Sequence, residues 1–307
     1  MIQAAGLRIG WHDLPGPVRR KIERLIGDRV TTATSQRGGF SPGTADRVVT
    51  EGGRRAFVKA VSIHLNMTSV ELARREAHLT GQMPDAAPVP RLLGSFDDGE
   101  WMVLVLEDVD GRHPRTPWVD DEVDATVSAL RDLGHLLTPA PMHGVPQAGE
   151  RLAEQFAGWA LLRTDPMPGL DPWAAAHLDD LSEAAGRGLE ILRTGVTVAH
   201  CDIRADNLLV RRDGSVTVVD WPWACAGPPW LDTALLAMNV IAHGGDGDRL
   251  LAGIDPGRAT DVCAGFVGYL MERSRHPAPG IPYVRDFQRA HADALLPWLR
   301  ERLHPAG

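Results

Sequence analysis

Two short acid-rich segments of this chain carry residue types that could do chemistry together: Val198-Ala-His-Cys-Asp-Ile-Arg-Ala-Asp-Asn-Leu-Leu-Val210 and Val216-Thr-Val-Val-Asp-Trp221. Asp202 and Asn207 are five positions apart (207 − 202), and Asp220 follows Asn207 by thirteen (220 − 207), at the end of an apolar run. That spacing fits a loop, a hairpin and a strand end. Moving a phosphoryl group from a nucleoside triphosphate to a hydroxyl requires a carboxylate to orient the hydroxyl and accept its proton. It also requires hard oxygen ligands to hold magnesium on the phosphates. Asp202 suits the first task, and Asn207 with Asp220 the second. A two-metal hydrolase built on His200, Asp202, Asp206 and Asp220 is the rival reading; it needs further ligands at strand ends, a setting that His12, His64 and His113 do not offer.

A second group stands far upstream. Among 32 basic residues only Lys21 and Lys59 are lysines. Lys59 lies in the apolar run Ala56-Phe-Val-Lys-Ala60, where an ammonium on a flexible stem can reach a phosphate as a point charge. Glu76 lies seventeen positions on (76 − 59), within Glu71-Leu-Ala-Arg-Arg-Glu-Ala-His78. Its carboxylate, with Glu71 as competitor, could orient that ammonium toward a triphosphate.

The rest of the chain must position these groups. From 13 to 27, Val18, Ile22, Leu25 and Ile26 have helical spacing. Short β-prone pieces follow at Val30–Ser35, Ala45–Thr50 and Ala56–Ala60, separated by glycine pairs. Ser69 to Gly81 reads as a helix with Ser69 as its N-cap. Two strands, Arg91–Phe96 and Trp101–Leu106, are joined by Asp97-Asp98-Gly99. Beyond Asp120 the pattern is helical over 121–138, 150–163, 172–194, 230–243, 257–274 and 284–303. The β-prone pair 207–210 and 216–219 interrupts it, turning at Asp213-Gly214.

At 307 residues, 44% apolar and 23% charged, the chain has the composition of a globular protein of one large or two unequal domains. A net charge of −8 without a clustered basic stripe argues against a nucleic-acid partner; it fits a solvated acidic surface that aids solubility first and a cationic small substrate second. Three cysteines, Cys201, Cys225 and Cys263, suit neither a disulfide framework nor a zinc cage. With no signal pattern and no apolar run of ~18 residues, the expectation is a cytoplasmic protein without a membrane partner.

Assembled, these residues resemble the aminoglycoside phosphotransferase and choline kinase group of kinase-like small-molecule phosphotransferases. That family's catalytic loop reads His-Gly-Asp-Leu-His-x-x-Asn; here it reads His200-Cys-Asp-Ile-Arg-Ala-Asp-Asn207, with Cys201 and Arg204 as departures. Its second motif, Ile-Asp-Trp followed by Gly-x-Pro and Asp, corresponds to Val219-Asp-Trp221, Gly227-Pro-Pro229 and Asp232. The resemblance implies an α+β, bilobal protein kinase-like fold: an N-terminal lobe over 1–106 with a small antiparallel sheet and one key helix, a hinge over 107–112, and a mainly helical C-terminal lobe over 113–307. It implies ATP or GTP with Mg2+ as cofactors, Asp202 as base, Asn207 and Asp220 as metal ligands, and Asp232 as a brace for the catalytic loop. Gly38, Gly39, Ser41 and Gly43 would form a phosphate loop, and Glu107 and Val109 would meet the nucleobase through backbone groups.

The acceptor is expected to be a small-molecule hydroxyl. Trp221, Trp223, Trp230, Asp165, Glu272 and Arg204 are candidate wall residues, since aromatic faces and carboxylates hold ammonium groups. An arginine-rich, lysine-poor composition resembles that of proteins from high-GC soil bacteria, where enzymes of the resembled family often inactivate antibiotics, so O-phosphorylation of an antibiotic is the expectation. A metabolic kinase acting on choline, a sugar or an amino acid, and a silent nucleotide-binding scaffold, are the alternatives.

Overall fold

A computed structural model of the chain describes residues 8–36, 41–279 and 283–304. Helix α1 (Gly16–Ile26) leads into strands β1 (Val30–Ser35), β2 (Thr44–Thr50) and β3 (Arg55–Ser62). Helix α2 (Met67–Thr80) and strands β4 (Leu92–Asp97) and β5 (Trp101–Leu106) follow. The five strands form one antiparallel sheet in the order β1-β2-β3-β5-β4.

This sheet is covered on both faces, and the two-residue period of a strand sorts its side chains accordingly. On β5, Trp101, Val103 and Val105 pack with Trp11, Val18 and Ile22 from the N-terminal segment. Met102, Leu104 and Leu106 pack with Val70, Ala73 and Ala77 of α2. On β3, Ala56, Val58 and Ala60 join the first cluster and Val61 the second. Lys59, between Phe57 and Val61, therefore belongs to the face that α2 covers. The N-cap of α2 is Asn66, whose side chain accepts from the Ser69 amide at 2.8 Å, and not Ser69 as the sequence suggests.

The remaining chain is mainly helical. It contains β6 (Gly111–Arg112), α3 (Asp120–Leu136), α4 (Ala148–Arg151), α5 (Ala153–Phe156), α6 (Gly158–Thr164), α7 (Pro172–Ala176), α8 (Leu178–Leu192), β7 (Thr197–Ala199), β8 (Leu208–Arg211), β9 (Val216–Val218), β10 (Cys225–Gly227), α9 (Leu231–Ala242), α10 (Asp248–Leu251), α11 (Pro256–Ser274) and α12 (Val284–Leu303). The helix expected over 150–163 is three short pieces, although Leu152, Phe156, Trp159 and Leu162 keep their spacing and are all buried. Gly158 is where this stretch meets α11: a Cβ there would lie 2.3 Å from the Gly268 carbonyl oxygen. The helix expected over 172–194 divides at His177. Its ring Nδ1 takes the Trp173 carbonyl at 2.7 Å, the acceptor its own amide would use in an unbroken helix, and that amide turns to Ala174 instead.

Two small sheets frame the acid-rich segments. β7 pairs with β10, and β8 pairs with β6 on one side and β9 on the other, so residues 200–207 form a loop between two anchored strands. The hairpin turning at Asp213-Gly214 is as expected, while β7 and β10 are additional.

Within the five-stranded sheet, Gly43, just before β2, lies close against β3. A Cβ there would sit 2.4 Å from the Ala60 carbonyl oxygen and 2.9 Å from Val61 Cβ. We expect Gly43→Ala to lower stability by about 1–3 kcal/mol, the usual scale of overpacking, as read from a urea titration. An unchanged midpoint would show that β3 yields at this point without strain.

Candidate functional site

The crevice forms where the α2 face of the sheet meets the loop over 200–207 and the end of β9. Helix α2 carries Glu76 on the same face as Val70, Ala73 and Ala77, at the spacing that one side of a helix presents. The Lys59 ammonium donates to Glu76 Oε1 at 2.7 Å and Oε2 at 2.8 Å, and to Asp220 Oδ1 at 2.6 Å. Two segments 161 positions apart (220 − 59) thus meet on one cation. Burial disfavours the charge on Lys59, yet Asp220 and Glu76 outweigh it and hold its pKa above the ordinary lysine value. Burial likewise raises Asp220, and Lys59 overcomes it, leaving that carboxyl below its ordinary range.

Asp202 lies on the loop. Asn207 holds it by donating Nδ2 to the Asp202 carbonyl at 2.8 Å and to Asp202 Oδ2 at 3.0 Å. Burial pushes the Asp202 carboxyl up to about 7, with Asp206 and Asp220 adding to the rise against the pull of Arg204 and Asn207. Arg204 reaches Asp202 Oδ2 at 3.5 Å and Asp206 Oδ1 at 3.1 Å, and its guanidinium lies 5.1 Å from the centre of the Phe287 ring.

The loop is fixed from behind. Asp232, at the start of α9, accepts the His200 amide at 2.7 Å and the Cys201 amide at 3.0 Å. The buried His200 ring accepts the Asp202 amide on Nδ1 at 3.2 Å, which leaves Nε2–H to donate to the Val219 carbonyl at 2.9 Å. Burial keeps this imidazole neutral by lowering its pKa, consistent with that tautomer. Cys201 and Asp220 both have positive φ, 64° and 70°. A left-handed backbone disfavours a side chain, so Cys201 holds strain where the family pattern has glycine.

The donor set fits a hard divalent cation. Because Asn207 spends its amide nitrogen on Asp202, its Oδ1 is the atom left for coordination, and Asp220 adds a carboxylate with one oxygen on Lys59.

A cavity of about 740 Å³ runs along this junction. Lys59, Glu76, Asp202, Asn207 and Asp220 all line it, as do Ser41, Glu107 and Val109. Gly38 and Gly39 lie outside the described residues. Gly43 is not among the lining residues; its close approach to β3 gives it a packing role.

Of the expected acceptor wall, Arg204, Trp221 and Trp223 line the cavity, whereas Trp230, Asp165 and Glu272 do not. Trp221 is 1% exposed, donates to the Val218 carbonyl at 3.0 Å and packs edge-on to His200, so it is chiefly core. Trp230 packs against the C-terminal core. Asp165 pairs with Arg275 at 2.8 Å on the surface, and the buried Glu272 is engaged by His276, Arg275 and Arg273. Local pairing explains both departures: a carboxylate near a helix end is claimed by the nearest arginine, which sequence spacing alone does not reveal.

Sequence reasoning passed over Asp108 and its arginines. Its buried carboxylate takes Arg47 at 2.6 Å and Arg55 at 2.8 Å, tying β2 and β3 to the connector after β5. The signal was an acid next to Glu107 with no apolar reason to be buried.

Comparison with known proteins accords with this geometry. The family model for APH, the phosphotransferase enzyme family, matches residues 37–266. No curated protein sequence matches. Among solved structures, a thermostable mutant of aminoglycoside phosphotransferase APH(4)-Ia, in ternary complex with AMP-PNP and hygromycin B, is 12% identical, with 91% of this chain and 99% of that one covered and a TM-score of 0.59. Choline kinase LicA from Streptococcus pneumoniae is 14% identical over 92% and 98% of the two chains, with a TM-score of 0.59. A putative fructosamine-3-kinase from Haemophilus somnus 129PT is 12% identical over 91% and 96%, with a TM-score of 0.51. At such identities the likeness concerns the fold, a bilobal kinase-like one.

Removing the Asp232 carboxylate would strand two loop amides. Asp232→Ala should lower stability by about 1–3 kcal/mol, the cost of leaving buried donors unpaired, measured by urea unfolding. Equal midpoints for variant and parent would mean that the loop is held by other contacts.

Proposed function

The chain belongs to the phosphotransferase enzyme family, and from that premise we propose that it transfers the γ-phosphoryl group of ATP or GTP to a hydroxyl of a small molecule. The observation that carries this reading is the meeting of Lys59, Glu76 and Asp220 at the wall of the cavity that also holds Asp202. Residues 107–112 would act as the hinge, with Glu107 and Val109 offering backbone groups to the nucleobase. Lys59, oriented by Glu76, would bind the phosphates; in doing so it would exchange its contact with Asp220 for one with the nucleotide, freeing that carboxylate. Asp220 and Asn207 Oδ1 would hold magnesium, which when bound neutralises charge on the β- and γ-phosphates.

Asp202 would orient the acceptor hydroxyl and take its proton. A pKa raised to about 7 suits a group that must bind a proton in one step and release it afterwards. Arg204, held by Asp202 and Asp206, would keep positive charge beside the transferring group.

For the acceptor we propose an antibiotic-type natural product, modified so that the cell tolerates it. The supporting observation is the apolar wall formed by Leu235, Met238, Phe266 and Phe287, which suits a molecule with a hydrophobic body better than choline or a simple sugar.

Asp202→Asn tests the assignment. Phosphoryl transfer, followed as ADP release with mass detection of the phosphorylated acceptor, should fall roughly 10²–10⁴-fold while nucleotide binding persists. Transfer at the parent rate would remove Asp202 from the role of base. Turnover independent of magnesium would count against Asn207 and Asp220 as ligands.

A further inference from the structure

Resting on the phosphotransferase reading, we infer that the acceptor carries an anionic group, such as a carboxylate, that Arg273 and Arg285 receive, and a further polar hydrogen that His291 accepts; the site is not built for a polycation. The evidence is the charge and bonding of the cavity beyond the loop over 200–207, where α9, α11 and α12 supply the walls.

Every Asp and Glu of the chain falls among the described residues, so the carboxylate inventory of this half is complete. Among the described residues, two carboxylates line it, Asp202 and Asp206, against three guanidiniums, Arg204, Arg273 and Arg285. Arg204 is matched to both aspartates, at 3.5 and 3.1 Å. Asp202 is further committed to Asn207. Neither acid is left over for an ammonium on a ligand.

The other two arginines have a surplus of charge. Arg285 makes no ion pair among the described residues: it donates to the Pro277 carbonyl at 3.1 and 3.2 Å and to Gln288 Oε1 at 2.8 Å, all neutral acceptors. Among the described residues Arg273 has only a 3.8 Å approach to Glu272, a carboxylate already shared with Arg275 and His276, and lies 5.9 Å from the centre of the Tyr269 ring. Burial, and Arg273 beside it, lower the pKa of Arg285, as expected for two like charges on one wall. A planar carboxylate is the ligand group that satisfies paired guanidiniums best.

His291 supplies the second, independent feature. It lines the same cavity, is 5% exposed, and its Nε2 has no hydrogen-bond partner among the described residues. Its Nδ1 faces the Phe287 carbonyl at 3.1 Å, and a carbonyl can only accept, so Nδ1 carries the hydrogen and Nε2 is a bare acceptor. Burial holds the ring neutral, with its pKa pushed down to about 4. A buried acceptor without a partner is costly unless a ligand supplies a donor such as a second hydroxyl.

The test uses the intact chain and probes with one skeleton: phenyllactate, its methyl ester, 4-hydroxyphenyllactate and phenylalaninol, with kanamycin as the polycation. Binding is measured by calorimetry in the presence of the magnesium complex of a non-hydrolysable ATP analogue. Phenyllactate should bind at least about tenfold more tightly than the ester or the amine, a difference of about 1.4 kcal/mol, and Arg285→Gln should abolish that preference. His291→Phe should weaken 4-hydroxyphenyllactate, whose phenol supplies a second hydroxyl, and leave phenyllactate, whose one hydroxyl goes to Asp202, unchanged, whereas Arg285→Gln should weaken both. Tighter binding of phenylalaninol or kanamycin, or no binding of phenyllactate, overturns the inference. Turnover with ATP is read in parallel. Binding in the expected order without ADP release for any bound probe counts against the phosphotransferase reading, whereas transfer to kanamycin alone upholds that reading and overturns the charge assignment.

Discussion

One ammonium, that of Lys59, holds two parts of the molecule in register. Glu76 reaches it from a helix on the sheet and Asp220 from the end of a strand in the helical part, at 2.7 and 2.6 Å. Opposite charges brought out of water must be matched closely, because each left alone would be penalised heavily. The α2 packing against β3 and β5, and the placement of β9 beneath it, therefore answer to one requirement: two carboxylates must arrive at the same cation. The same arrangement is what a nucleotide would exploit, since an ammonium held by removable contacts can transfer its charge to a phosphate.

The loop over 200–207 shows a different economy. Its side chains are presented forward because its backbone is tied down behind, by Asp232 on two amides and by the neutral His200 bridging Asp202 and Val219. Positive φ at Cys201 and Asp220 is tolerated within this frame. Strain of that kind survives only where surrounding contacts determine the backbone more strongly than its own preference does.

Much of this was legible in the sequence. Lys59 in an apolar strand, and Asp202, Asn207 and Asp220 at their spacings, are conspicuous because polar groups in apolar runs need a reason. The sheet and its key helix follow from two-residue and helical periods. Strands β7 and β10 were not legible, because three residues such as Cys225-Ala-Gly227 carry no β signal and exist as a strand only through their partner. The breaks at His177 and around Gly158 depend on a side chain capturing a carbonyl and on a close approach to α11, events that periodicity does not encode. The acceptor wall was the least legible part. Asp165 and Glu272 looked available as isolated acids, and only the fold shows that arginines have claimed them.

The buried Asp108 carboxylate, clasped by Arg47 and Arg55, bears on how the mouth of the crevice can widen. Strands β2 and β3 cannot swing away from this point without drawing an anion from between two cations, so they and the start of the connector travel as a single piece. In the hinge proposed over 107–112, bending would fall to the chain just beyond, around Asp110 to Arg112, where β6 joins the helical part through β8. The pivot would thereby lie on the far side of the segment proposed to flank the nucleobase, and the groups proposed to face the base would keep their mutual spacing at either width of the crevice.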